Sequence, residues 1–386
     1  MESGGIRKML VSVQFDHVVS GPGTFTKLIY DHILYNKLRD WVFVSEDIQM
    51  PNNQATFKVR FPTLIRPLWK LRFIKGLFYY RTVRAVLKRH SCSTVYFNTS
   101  PVVSFYCALF GGIAADQAYF ISDYNHMSME GNEQAENRNI VGCLKKRLFL
   151  EMEKYTLRKA KSVVVNSSYL GKLVENQYGI REDKVALLYK GVDLSQFKPT
   201  VRSWSLNEPT KVLFVKSDYI TGGLDILLSA LGRVSYPVRL TVVGPGPKHY
   251  ADITELARRE GYKGELNFGG RLAREEMVHE FAKHHILCVP SRREALGVVF
   301  LEGLASGMPV IGTEVGGIPE VLDGGRAGWL VTPEDAAELA KIIELVVTDE
   351  RSRREKVNHG MKWVKAFSIQ STISNFLSLD QEGQAA

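Results

Sequence analysis

Short apolar runs alternate with helix-length segments along most of the chain, and this alternation limits the possible folds more than any single motif does. "KMLVSVQF", "DWVFVS", "STVYFN", "QAYFISD", "KSVVVNSS" and "KVALLYKG" read as strands in the first half. "KVLFVKSD", "VRLTVVGPG", "GELNFGG", "HILCVPS", "MPVIGTEV" and "GWLVTP" repeat the pattern in the second. Near-continuous Val, Ile, Leu and Phe without a polar alternation predicts parallel strands buried on both faces, with the intervening segments as crossover helices. At 386 residues the chain exceeds one ordinary core. The expected class is therefore α/β, with two doubly wound parallel-sheet (Rossmann-like) domains facing across a cleft. Polar residues and two prolines in "KPTVRSWSLNEPTK", residues 198–211, suggest a linker. The expected domains are 1–200 and 201–365, with 366–386 as a C-terminal helix packing back on the first domain.

Composition excludes several classes. A 45% hydrophobic and 24% charged chain reads as ordered and globular. Cys92, Cys107, Cys143 and Cys288 show no metal or disulfide spacing, which points to a reducing compartment and a cytoplasmic address. The opening "MESGGIRKMLVSVQFD" shows no secretory signal pattern. The apolar run Pro101 to Ala115 falls short of the roughly 20 residues of a membrane span and reads as a buried helix.

The net charge of +9 is unevenly placed: residues 1–200 hold 28 Lys and Arg against 17 Asp and Glu, and the remainder holds 22 against 24. Within an acid-free stretch, residues 66–90 interleave Arg66, Lys70, Arg72, Lys75, Arg81, Arg84, Lys88 and Arg89 with Trp69, Phe73, Phe78, Tyr79 and Tyr80. Such a segment can lie on an anionic membrane surface with its aromatics at headgroup depth. It can equally meet an anionic acceptor, or be an ordinary amphipathic helix with a solvated basic face. No nucleic-acid-binding motif accompanies it.

The stretch "SRREALGVVFLEGLASGMPVIGTEVGGIPEVL", residues 291–322, carries Glu294 and Glu302 with seven residues between them. A strand, "HILCVPS", precedes it, and a helix is expected to begin near Gly297 and end at Gly307 before Pro309. Amides around Gly297, Val298 and Val299 would then form a helix N-terminus that attracts an anion such as a diphosphate. Two carboxylates repel a diphosphate, so beside one they make sense as acceptors for hydroxyl-rich groups at its ends. Sugar, diphosphate and ribose in sequence describe a sugar nucleotide. On their own the glutamates fit an ordinary helix start equally well.

The surrounding residues are more specific. Pro290, Ser291, Glu294, Gly297, Glu302, Ala305, Ser306, Gly307, Pro309, Val310, Gly316, Gly317, Pro319 and Glu320 together resemble the family 4 retaining glycosyltransferases, also called group 1 glycosyltransferases. "YKGVDLSQFKP" from Tyr189, "TVVGPGP" from Thr241 and "VVVNSSYL" from Val163 resemble further landmarks, so the likeness runs nearly the full chain. It implies a GT-B fold with the donor nucleotide held mainly by the second domain. The implied donor-binding residues are Gly21, Gly23, Thr24, Lys216, Gly244, Arg271, Glu294, Ala295, Leu296, Gly297, Val298, Val299 and Glu302, with Glu294 orienting the sugar and Glu302 the ribose. Asp123, His126, Lys216 and Glu294 are the implied catalytic positions.

Two departures from the family pattern stand out. Thr221 and Gly222 occupy the place of a basic pair that contacts the diphosphate, and the leaving charge must be offset by something. Lys216, Lys190 or Arg271 can substitute, Lys216 first. Ser122 and Asp123 stand where a His-Asp pair is common, with His126 three residues on. The resemblance implies retention of anomeric configuration without a metal or cofactor, since no DxD-like pair follows a suitable strand. The expected partners are a nucleotide-sugar donor, UDP-sugar by family frequency, and a glycan or lipid-linked acceptor in exopolysaccharide or cell-envelope synthesis. Nucleic acid is not expected. The rivals are a sugar-nucleotide epimerase or phosphorylase on the same fold, and a non-catalytic binding protein, which the missing basic pair would favour.

Overall fold

In the computed structural model the chain divides into two units, Met1–Leu188 and Tyr189–Ala386. The structure describes residues 7–13, 21–47, 55–62, 72–99, 101–111, 113, 115–121, 140–205 and 208–379.

The first unit runs β1 (Arg7–Ser12), α1 (Gly21–Tyr35), β2 (Trp41–Ser45), β3 (Ala55–Lys58), α2 (Arg72–Leu87), β4 (Cys92–Asn98), α3 (Pro101–Leu109), β5 (Asp116–Ile121), α4 (Ile140–Lys159), β6 (Ser162–Val165), α5 (Ser168–Tyr178) and β7 (Val185–Leu187). Its strands form one parallel sheet in the order β3-β2-β1-β4-β5-β6-β7. Both faces are covered: Met9 and Val11 join one cluster, while Leu10, between them, is buried as well. This is why the central strands show no polar alternation. Only β3 was not expected from the sequence. "ATFK" is four residues long and mixed in polarity, and pairing with β2 is what makes it a strand.

Helix α2 bears on the alternatives held for residues 66–90. Tyr79 and Tyr80 are buried, and Phe78 packs against the core beside Phe61. These three aromatics build the interior. Lys75 pairs with Glu46 at 2.5 Å, whereas Arg81, Arg84, Lys88 and Arg89 stay exposed. Trp69 lies outside the described residues. The run from Pro101 is helical only to Leu109. Val102, Val103 and Cys107 are buried, and Leu109 and Phe110 are exposed where the helix ends. Among the described residues no helix is long and apolar enough to cross a membrane.

The second unit runs β8 (Thr210–Val215), α6 (Leu224–Leu231), β9 (Val238–Val243), α7 (Tyr250–Arg259), β10 (Glu265–Gly270), α8 (Arg274–Lys283), β11 (Ile286–Val289), α9 (Val298–Ala305), β12 (Val310–Thr313), α10 (Ile318–Val321), β13 (Trp329–Val331), α11 (Ala336–Thr348), α12 (Glu350–Trp363) and α13 (Ile369–Ser378). The six strands are parallel in the order β10-β9-β8-β11-β12-β13. From β8 the chain builds outward on one side through β9 and β10, then returns to β11 and builds the other way. The strand order therefore reverses between β8 and β11.

The division at Leu188 falls earlier than the expected 200, because the segment read as a linker is pinned to the second unit. Arg202 Nε donates to His284 O (2.7 Å), Nη2 to Phe281 O (2.8 Å), and Nη1 to the carbonyls of Thr200, Ser306 and Gly307. It thereby caps the C-terminal ends of α8 and α9. Burial pushes its guanidinium down to about 10. Trp204 stacks under the Arg353 guanidinium at 4.0 Å. Helix α13 is grouped with this unit too: Thr372 Oγ1 donates to Tyr189 O, and Ser368 bridges to Val192.

Candidate functional site

The carboxyl ends of the second sheet carry most of the residues singled out in the sequence. Lys216 follows β8, Gly244 follows β9, Arg271 follows β10, and residues 290–297 follow β11. In open parallel sheets ligands bind outside the strand carboxyl ends where the strand order reverses. Lys216 and Glu294 leave the two strands that flank this reversal. Lys216 Nζ lies 2.5 Å from Glu294 Oε2, with side chains 22% and 17% exposed. The loop of Glu294 is tied down by Gly317 N, which donates to Glu294 O at 3.2 Å.

Gly297 begins α9 at φ 91, ψ 57, and no side chain caps the helix. The left-handed conformation favours glycine. A Cβ here would also sit 2.5 Å from Phe300 Cδ2, so the position holds no side chain beside the first-turn amides of Val298 and Val299. Ala295 and Leu296 are buried, and their side chains belong to the core. Glu302 lies one turn further along the helix. Its carboxylate makes no hydrogen bond or ion pair with a described residue. Desolvation raises it to about 7, against a smaller lowering pull from Arg274. A carboxylate held in that state gains from any hydroxyl that donates to it.

The absence of a basic side chain at 222 has a steric cause. A Cβ at Gly222 would lie 2.6 Å from Phe214 Cζ and 3.0 Å from both Cβ and Cγ of Lys216. The Lys216 stem fills the space that a residue 222 side chain would need, so the loop presents its cation from position 216. Thr221 turns back on its own loop, its hydroxyl donating to Asp218 Oδ2 at 2.6 Å.

Arg292 was not singled out from the sequence. Its Nη1 donates to Ile220 O (2.6 Å) and Asp225 Oδ1 (2.8 Å), and its Nη2 to Asp225 Oδ2 (2.8 Å) and Glu334 Oε2 (2.9 Å). Nε donates to Glu334 Oε1 at 2.6 Å, so all five guanidinium hydrogens are used. The Arg292 amide donates to Thr221 O at 2.8 Å. One side chain thus ties the loop after β8 to the loops after β11 and β13. Its partners stand 72, 67 and 42 residues away in the chain, and no local signal reveals them.

The remaining positions are less concentrated. Gly244 N donates to Gly270 O at 2.7 Å, closing the ends of β9 and β10 together. Arg271 is exposed and separated from β8 by the width of β9. Gly21, Gly23 and Thr24 lie in the first turn of α1 itself, not in a loop ahead of it. Asp123 and His126 lie outside the described residues. Among the described residues, no three His, Cys, Asp or Glu side chains cluster so as to hold a metal ion.

Comparison with known proteins gives this site its context. The profile of group 1 glycosyl transferases matches residues 200–363, and that of glycosyltransferase family 4 matches residues 41–196. The chain belongs to the group 1 glycosyltransferases. It is 28% identical over 220 residues to the D-inositol 3-phosphate glycosyltransferase of Thermobifida fusca, covering 53% of this chain and 51% of that one. It is 28% identical over 208 residues to the sulfoquinovosyl transferase of Arabidopsis thaliana, covering 51% of this chain and 39% of that one. The chain thus spans about half the length of these named relatives, or less. Among solved structures, sucrose-phosphate synthase from Thermosynechococcus elongatus superimposes with a TM-score of 0.78 at 17% identity, over 99% of this chain and 100% of that one. Anabaena HepE in complex with UDP gives 0.73 at 17% identity, over 98% and 100%. The fold is GT-B, as expected.

Two outcomes follow. Arg292→Lys cannot reproduce two bidentate pairs, and it is expected to speed amide hydrogen exchange across residues 217–224 by about tenfold or more while β12 is unaffected. Unchanged exchange would remove the tethering role. For Glu302, a folded-state value of about 7 against an ordinary 4.5 means that the folded protein binds the extra proton. Stability therefore falls as pH rises from about 4.5 to 7 and is level above that. Glu302→Gln should unfold at a higher temperature than wild type at pH 8, with the difference gone near pH 4.5.

Proposed function

We propose that this protein transfers a sugar from a nucleotide-sugar donor, UDP-sugar first, to a hydroxyl of a glycan or lipid-linked acceptor, with retention of anomeric configuration and without a metal. The Lys216–Glu294 pair across the strand reversal, beside the uncapped Gly297 helix end, is the observation that carries this reading. The donor diphosphate would lie on the amides of Val298 and Val299, where the helix dipole and Lys216 offset its charge. Glu302, desolvated and without a protein partner among the described residues, would accept the ribose hydroxyls. Glu294 would accept hydroxyls of the sugar. In the transfer, the bond between the anomeric carbon and the phosphate oxygen breaks as the acceptor oxygen bonds to that carbon from the same face. The acceptor proton passes to the departing phosphate oxygen, so no enzyme nucleophile is required. Relatives named as glycosyltransferases and the fold shared with a UDP-bound protein support the donor class. The exposed Arg81, Arg84, Lys88 and Arg89 favour an acceptor with anionic character.

Isothermal titration with UDP, GDP and ADP, in EDTA and then in magnesium, tests the site. One nucleotide should bind in EDTA, and Glu302→Ala should weaken it by about tenfold through lost ribose hydrogen bonds. NMR of the product formed from the matching sugar nucleotide should show the donor's anomeric configuration. If none of the three binds with or without magnesium, the reading fails.

A further inference from the structure

Apart from the edge proposed for the donor, we infer that the second unit holds a separate binding site for a single-chain amphiphile with an acidic head, such as a fatty-acyl carboxylate. The site is a cavity of about 560 Å³ at the far end of α9. Phe197, Ala305 and Val364 are buried and form its floor, and Leu194 and Met361, half-buried, line it nearer the mouth. Its size falls within the roughly 300–1,000 Å³ of small-molecule sites. Ala305 is the last residue of α9, so eight helical residues, about 12 Å, separate it from the first-turn amides of Val298 and Val299. Between two parallel strands such a helix returns the chain from the carboxyl edge to the amino edge, where β12 begins. The cavity therefore lies at the opposite edge of the sheet from Lys216 and Glu294.

Charge selects the ligand. Among the described residues that line the cavity none is acidic, whereas Lys362 and Lys365 line it and are both exposed. Neither ammonium makes a hydrogen bond or ion pair with a described residue. Lys362 stands in the last turn of α12, where a cation ordinarily offsets the helix dipole. That helix end carries about half an elementary charge, and two lysines exceed it. The carbonyls that end α9 are answered separately, since Arg202 Nη1 donates to Ser306 O and Gly307 O at 3.0 Å each. A positive rim over an apolar floor suits an aliphatic chain that ends in an acid. The chain displaces water from Phe197, Met361 and Val364, and the head meets the lysines at the mouth. A neutral alcohol of the same length gains only the first of these contacts.

Calorimetric titration of the full chain with decanoate and with decanol, both below micelle formation and without nucleotide, tests the site. Wild type should bind decanoate about fivefold tighter than decanol, a modest factor because the lysines are exposed. In the double variant Lys362→Gln, Lys365→Gln that preference should disappear while decanol binding is unchanged. Lys198 is exposed beside Pro199 but does not line the cavity, so Lys198→Gln should bind decanoate as wild type does. Absence of decanoate binding at millimolar concentration would overturn the site. Full retention of the decanoate preference by the double variant would overturn the assignment of the head to these lysines. Equal losses in Lys198→Gln and the double variant would overturn it too, by reducing the effect to a generally basic surface. Sedimentation with phosphatidylglycerol vesicles but no binding of monomeric decanoate would assign the lysines to a membrane surface and overturn the cavity site.

Discussion

Right-handed crossovers oblige the helices after two neighbouring strands to lie on opposite faces of the sheet when the strand order reverses between those strands. In the second unit this happens between β8 and β11, so α6 and α9 leave in opposite senses and the loops preceding them part at the carboxyl edge. The helix end at Gly297, the approach of Lys216 to Glu294 and the reach of Arg292 to Ile220 all depend on that parting. The far end of α9 is fixed separately by Arg202, which bonds the carbonyls of Ser306 and Gly307. A short helix held at its C-terminus and open at its N-terminus is suited to present amides without moving when a ligand arrives.

Charge in this site is closely balanced. Two glutamates near an uncapped helix N-terminus would repel an anion if both were free and ionised. One is neutralised by Lys216, and the other is desolvated enough to hold its proton up to about neutral pH. Arg292, although it lies two residues from Glu294, spends all five donors on Ile220, Asp225 and Glu334. Its work is mechanical, whereas Lys216 ends at Glu294 beside the strand reversal.

Much of this was legible in the sequence, for identifiable reasons. Strands such as "VRLTVV" and "ILCV" are buried on both faces, and burial on both faces writes itself as an unbroken apolar run. The glutamates and Gly297 were legible because they lie within one local stretch. For helix α2 the composition left several readings open, and the buried face separates them. Tyr79, Val83 and Val86 fall on one buried face, and Arg81, Arg84 and Lys88 on the other. Lys216 stands first among three candidate cations in the sequence, but its contact with Glu294 spans 78 residues. The Arg292 hub and the role of Arg202 are long-range closures onto carbonyls and distant carboxylates, and only the folded chain brings them together.

The central claim is that the diphosphate of a sugar nucleotide sits at the carboxyl edge between β8 and β11. A crystal structure of the protein with the nucleoside diphosphate that titration selects tests it most directly. The account predicts phosphate oxygens about 3 Å from the amides of Val298 and Val299, the ribose on Glu302, and Lys216 drawn off Glu294 onto the phosphate. Density for the nucleotide at the outer end of the sheet beyond β10, or confined to the first unit, with the Lys216–Glu294 pair undisturbed, would contradict it.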